Sequence, residues 1–169
     1  MMTGFTCAGG GTFAAAQDPA SSDRVRTSNA DIATLIQHAS ERSKSFRGLI
    51  DVINASDGIV YIEAGQCGHW RHACFVTVTK AGRNRMLWMK MDIRGVDCDL
   101  MGLIGHELQH TVEVLSDPSV ASGPAMYFFF SSKADGRSGG DAFETDAALK
   151  TGEAVRTEVR LKSTCKSVP

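Results

Sequence analysis

No stretch of this 169-residue chain approaches the roughly 20 consecutive apolar residues that a membrane-spanning helix requires, so no membrane span is expected. Nor does one sign of charge dominate: 18 Lys and Arg stand against 19 Asp and Glu, for a formal net charge of -1 at pH 7. Such a balance argues against nucleic acid or another polyanion as partner. Internal repeats and long low-complexity stretches are also missing, which removes repeat architectures. No two cysteines have the CxxC spacing, so a cysteine-rich structural zinc site lacks its usual signature. At this length one domain with a substantial core is the expectation.

The opening segment, MMTGFTCAGGGTFAAAQD (residues 1–18), is small and apolar and runs into Ala14-Ala15-Ala16-Gln17, which looks like a small-residue cleavage site. It lacks a basic n-region, since no Lys or Arg precedes Arg24, and glycines dilute its apolar core. It reads as a secretory remnant or a flexible tail, leaving residues 19–169 as the folded domain. Cys7 lies in it, but Thr6 before it fits a lipoprotein processing site badly. The remaining cysteines, Cys67, Cys74, Cys98 and Cys165, are even in number, which suits two disulfides in a secreted or periplasmic protein. Three pairings are possible; the short loop CGHWRHAC favours Cys67 with Cys74, and by exclusion Cys98 with Cys165. Four reduced cysteines are the alternative.

TSNADIATLIQHASER opens with capping residues and spaces Ile32, Leu35, Ile36 and Ala39 as a helix does. SFRGLIDVINASDG repeats the pattern with Phe46, Leu49, Ile50 and Ile53 and stops at a turn. GIVYIEA (58–64), CFVTVTK (74–80) and RMLWMKMDI (85–93) are rich in β-branched and aromatic residues and read as strands, with the methionines and Trp88 explained by strand packing. AGRN (81–84) is short enough to make the last two an antiparallel hairpin. A helix over about 99–115 follows and ends at SDPS, where Pro118 forbids continuation. SGPAMYFFFSSK fits either a short helix or a buried extended run; ADGRSGG is a loop; DAFETDAALKTGEAVRTEVRLK reads as a final helix with Phe143, Ala147, Ala148, Val155 and Val159 available for packing. The order is α+β, with a small sheet, helices packed on it, and the 99–115 helix central.

That central helix carries LIGHELQHTVEVL. Residues four apart on a helix share a face at about 6 Å, so His106 and His110 can aim at one ion. Glu107, one position around the cylinder, then reaches a water beside that ion, the place for a general base. Leu100, Leu103, Ile104, Leu108, Val112 and Leu115 supply an apolar stripe away from the histidines. Gly105 costs roughly 1 kcal/mol of helix propensity relative to Ala, which points to close approach of another backbone or a substrate. The bland alternative is an amphipathic helix whose two histidines are surface or hydrogen-bonded residues.

Through His106-Glu107-Leu108-Gln109-His110 the chain resembles the zincins, the HExxH zinc metallopeptidases. It also resembles a group of small bacterial proteins sharing a GHELQH core and a later FET segment, over about residues 30–160. The resemblance implies Zn2+ and a third protein ligand. Glu113 shares the histidine face, but seven residues span roughly 10.5 Å of axis, so it belongs in an outer shell or in solvent. The metzincin pattern wants Gly at 113 and His or Asp at 116, where this chain has Glu113 and Ser116. The gluzincin arrangement takes a glutamate from a later helix, and Glu144 is its counterpart here. Thermolysin-like enzymes carry Asn before that glutamate and Asp four after, where this chain has Phe143 and Ala148, with Asp146 at another offset. Glu144 has a bland reading too: Asp141 as helix cap with Glu144 three residues on, a capping-box analogue.

The functional expectation is a small exported gluzincin-like metallopeptidase acting on a peptide or protein, with His106, His110 and Glu144 as zinc ligands and Glu107 as general base. Tyr127, Arg156 and Arg160 are candidate oxyanion donors with ordinary uses as a core aromatic and as solvated helix charges. His69 and His72 belong to the expected disulfide loop, where exposed polar residues are usual, Asp141, Asp146 and Glu153 are weaker ligand candidates, and His38 is structural. The rivals are a non-catalytic, disulfide-stapled domain with a structural metal or none, and a metal-dependent amidase acting on non-protein material.

Overall fold

The computed structural model describes residues 24–68, 72–133 and 144–168; the N-terminal segment, His69, Asp141 and Phe143 lie outside them. Strand β1 (Val25–Arg26) leads into helices α1 (Ala30–Arg42) and α2 (Lys44–Asn54), then strands β2 (Gly58–Ala64), β3 (Ala73–Ala81) and β4 (Asn84–Met91). A two-residue strand β5 (Gly95–Val96) precedes the long helix α3 (Asp97–Leu115). Helices α4 (Gly123–Lys133) and α5 (Asp146–Arg160) follow, and strand β6 (Ser167–Val168) pairs back onto β5. The expected α+β class is observed. Among the described residues no helix is long and apolar enough to cross a membrane.

The sheet order is β1-β2-β4-β3. β1, β2 and β4 run parallel, and β3 lies antiparallel at the edge, joined to β4 by the expected tight turn in which Gly82 takes a φ of 61°. Along β4 burial alternates, with Leu87, Met89 and Met91 facing the helices and Trp88 stacking on Tyr61 across the other face at 5.8 Å. A bulge between Phe75 and Thr77 leaves Val76 outside the ladder and exposed.

Helix starts follow the capping chemistry. Asn29 accepts from Ile32 N–H at 3.0 Å, and Ser43 both ends α1 and caps α2 by accepting from Phe46 N–H at 2.9 Å. The Ser43 and Ser45 hydroxyls donate to the Glu158 carboxylate on α5 at 2.6 and 2.8 Å, tying α2 to α5. α3 runs through the centre, against α1, α2, α5 and β3, and is buried along most of its length.

Two readings left open or misplaced by sequence are settled here. SGPAMYFFFSSK is helical, with Phe130 buried and Phe128 70% exposed, so YFFF is not an extended core run. Tyr127, expected in the core, is half exposed, because α4 turns only one side toward β3. The disulfides are Cys67–Cys74 and Cys98–Cys165, a pairing compatible with an oxidising compartment.

Arg85, only 3% exposed, occupies an inward position of β4. Its guanidinium donates to the carbonyls of Val114, Leu115, Asp117 and Val120 at 2.7–3.2 Å and to the Asp57 carboxylate at 2.8–3.1 Å. It therefore adds a donor at the end of α3 and the turn after it, where Val114 and Asp117 also accept the Asp117 and Val120 amides. Arg85→Met should lower stability by about 2–4 kcal/mol, measured by urea unfolding, because several buried acceptors lose their donor.

The hydrogen bonds and charge of Arg85 hold the Asp57 carboxyl below the usual aspartate range, against the opposing pull of burial. The folded chain thus binds that proton less tightly than the unfolded chain. The stability this adds is complete above the ordinary value of about 3.9 and disappears as pH falls through the depressed one. The stability difference between the protein and Asp57→Asn should be flat above about pH 5 and shrink in acid; a difference independent of pH would refute the assignment.

Candidate metal centre

His106 and His110 lie one turn apart on α3 with ring centroids 4.8 Å apart and planes at 81°. Glu144 comes to them from the segment just before α5, its Oε2 3.2 Å from His106 Nε2. One ligand atom from each of the three lies within 4.8 Å of the others. Zinc bonds of ~2.0–2.1 Å at a tetrahedral angle put neighbouring ligand atoms roughly 3.3 Å apart. Two imidazole nitrogens and a carboxylate oxygen also match the ion's donor preferences. The residues present fit the metal that the motif implies.

One detail differs from expectation: Glu144 does not begin the helix. Thr145 is the cap, accepting from Ala148 N–H at 3.1 Å, and α5 starts at Asp146. The capping-box reading of Asp141 with Glu144 falls on Asp141, outside the described residues; within them the cap of α5 is Thr145. Ala147, expected to pack, is exposed, while Ala148, Val155 and Val159 are buried.

The rings are held from behind. His110 Nδ1 faces Glu113 Oε2 at 3.2 Å, which leaves Nε2 for the cluster, and Phe130 packs edge-on at 5.1 Å. Glu113 is thus an outer partner of His110, as the helical rise requires. Burial favours the neutral form of His106, but the Glu144 hydrogen bond, the charges of Glu107 and Glu144 and the Ala148 backbone outweigh it and hold its pKa above the ordinary value. The two carboxylates beside that ring favour its positive form.

Glu107 is 7% exposed and borders a groove of about 370 Å3 together with His106, Glu144, Leu103, His72 and Arg156. A second cavity of about 310 Å3 opens beyond Glu144, lined by Glu113, Ser132, Lys133, Thr145, Asp146 and Leu149. Among the described residues the site thus borders a cavity on each side of Glu144. A larger cavity of about 670 Å3, between β1 and α1, has Arg26 and Glu41 as its only ionisable lining among the described residues and includes none of the cluster.

The remaining candidates separate cleanly. Arg156 borders the groove, held by Asp99 at 3.1 Å and by Glu153. Arg160 pairs with Asp99 at 2.7 Å and does not line the groove; neither does Tyr127. His38 sits on α1 away from the cluster. His72, read as an ordinary loop residue, lines the groove because the Cys67–Cys74 bridge pins the entry to β3 beside α3. Its position ahead of a strand was no signal of that. The other grouping of potential ligands, Asp97 with Cys98 and Cys165, is occupied: the sulfurs form a disulfide and Asp97 Oδ1 accepts from the Cys98 and Lys166 amides.

No protein-family model, no curated protein and no solved structure matches this chain.

The α3–α5 contact explains Gly105. A Cβ there would sit 2.8 Å from Val155 Cγ2, and one on Gly152 would sit 3.0 Å from His106 Cβ and 3.1 Å from the Gly102 carbonyl. Gly105→Ala should destabilise the fold by about 1–3 kcal/mol through overpacking, despite its gain in helix propensity. Gly152→Ala should in addition push His106 and weaken zinc binding, measured by competition with a chromophoric chelator. Equal zinc affinity in the two variants would show that the contact does not position the histidine.

Proposed function

We propose that this protein is a zinc-dependent hydrolase of zincin type, a gluzincin-like metallopeptidase, with His106, His110 and Glu144 as the metal ligands. The observation that carries the reading is the approach of Glu144 Oε2 to His106 Nε2 at 3.2 Å, from a segment far along the chain. That spacing alone would suit a simple hydrogen bond; what favours a metal is that His110 joins the pair, with one ligand atom of each of the three within 4.8 Å of the others.

Zinc, when bound, supplies a Lewis acid that acidifies water and polarises a carbonyl. Glu107 is the general base: it takes the proton from the attacking water at its carboxylate and returns it to the leaving amine, and its burial keeps that carboxylate from being swamped by solvent. His106, His110 and Glu144 would hold the ion as three protein ligands, the number with which a catalytic zinc keeps one position for water. β3, antiparallel and at the sheet edge, lets an extended peptide pair alongside it, with the groove receiving the scissile bond. Arg156 and His72 border the groove on the Glu107 side and are the groups suited to donate to the developing oxyanion; Arg160 and Tyr127 are not. Both cavities are small and open, which favours loose side-chain selectivity. The two disulfides and the apolar opening segment support secretion or a periplasmic location.

The purified protein should contain one zinc, and Glu144→Ala should lose most of it. Glu107→Gln should retain the metal while kcat on a peptide library falls by about 10²–10⁴-fold. A metal-loaded protein without hydrolysis of peptides, in which Glu107→Gln changes nothing, would turn the site into a structural one; hydrolysis of peptidoglycan amides in place of peptides would move the substrate outside proteins.

A further inference from the structure

Glu113 uses both of its carboxylate oxygens inside the protein. Oε2 faces His110 Nδ1 at 3.2 Å, and Oε1 accepts the Thr145 hydroxyl at 2.7 Å. Its side chain is only 12% exposed, so neither contact competes with bulk water on equal terms. Thr145 is the residue directly after Glu144, and the same hydroxyl oxygen accepts the Ala148 N–H that starts α5. One carboxylate on α3 therefore holds one metal-facing ring directly and the backbone next to the third ligand through a single hydroxyl.

We propose that Glu113 is a positioning residue that sets two of the three ligands together: it fixes the ring of His110 and, through Thr145, the placement of Glu144. This rests on the metal-centre reading above and extends it to how the centre is assembled. Glu144 precedes the Thr145 cap of α5, so a restraint on its placement comes from outside the regular hydrogen bonds of that helix. The link from Glu113 to its neighbour supplies that restraint. An oriented carboxylate behind a ligating histidine also keeps the tautomer in which Nε2 bears the lone pair.

The test is zinc affinity of the full chain with both disulfides intact, by competition with a chromophoric chelator, beside the melting temperature of each variant. Glu113→Ala should weaken zinc binding about 10–100-fold, the range for outer-shell partners, and Glu113→Gln, which preserves size, should fall between it and the parent. Thr145→Val should weaken zinc binding as well, although Thr145 hydrogen-bonds to neither histidine, and Thr145→Ser should restore it. The double variant Glu113→Ala with Thr145→Val should bind no more weakly than Glu113→Ala alone, because both cut one link. Cobalt substituted for zinc should give a visible spectrum altered in the Val variant and normal in the Ser variant. Thr145→Val that melts earlier yet binds zinc as the parent does would leave Thr145 a helix cap only and overturn the inference. A parent that binds no zinc would instead bring down the metal-centre reading and this assignment with it.

Discussion

Two helices that cross with almost nothing between them determine where the chemistry can be. Gly102 and Gly105 on α3 meet Gly152 and Val155 on α5, at distances that leave no room for a Cβ on Gly105 and little on the other two. Each glycine in a helix interior costs roughly 1 kcal/mol against alanine. What that sacrifice gains is proximity: with α5 this close, the residue two before its first turn reaches His106. With an ordinary interaxial distance of 8–10 Å set by larger side chains, the Glu144 carboxylate would stand away from the imidazoles.

Such a contact is useful only if α3 is held at both ends, and the two ends are held differently. At the N-terminal end the Cys98–Cys165 bridge and the Asp97 carboxylate, which accepts from the Lys166 amide, bind the helix to the chain's last strand. At the C-terminal end the buried Arg85 gathers its carbonyls from the sheet side. α5 is separately fixed to α2 through Glu158, which takes hydrogen bonds from Ser43 and Ser45. The helix pair is thus clamped to elements that take no part in the site, which lets the residues between the clamps depart from what stability alone would choose.

The features readable in sequence are those whose cause is local. Strand alternation in β4, the capping residues that open α1, and the four-residue spacing of His106 and His110 all follow from backbone geometry over a few residues. Gly105 was legible as an anomaly, but its partner Val155 was not, because nothing nearby in sequence identifies what approaches a helix. The start of α5 shows the limit plainly. Asp141 with Glu144, and Thr145 with the Ala148 amide, are both acceptable caps in local terms; the contact from Thr145 to α3, 32 residues away, goes with the second. Arg85 was invisible for the opposite reason. An inward arginine in a buried strand violates the pattern by which strands are recognised, and its justification is a set of carbonyls that only the folded chain brings within reach.

The same distinction bears on how selective the site can be. The groove is bounded on one side by α3 and α5, whose relative position is fixed by glycine contacts, and on the other by the start of β3, held by the Cys67–Cys74 bridge and carrying His72. Its walls are short, and two cavities of about 370 and 310 Å3 meet at Glu144 without an enclosing lid among the described residues. Deep side-chain recognition needs concave apolar walls with a few placed polar groups, and the grooves here supply mainly charged and small residues instead. Under the proposed peptidase function, affinity for an extended substrate comes from main-chain pairing along the outer edge of β3, the strand whose inner ladder to β4 is interrupted at Val76. Main-chain pairing is indifferent to side-chain identity, so a site built this way discriminates by whether a segment is extended and accessible more than by what it spells.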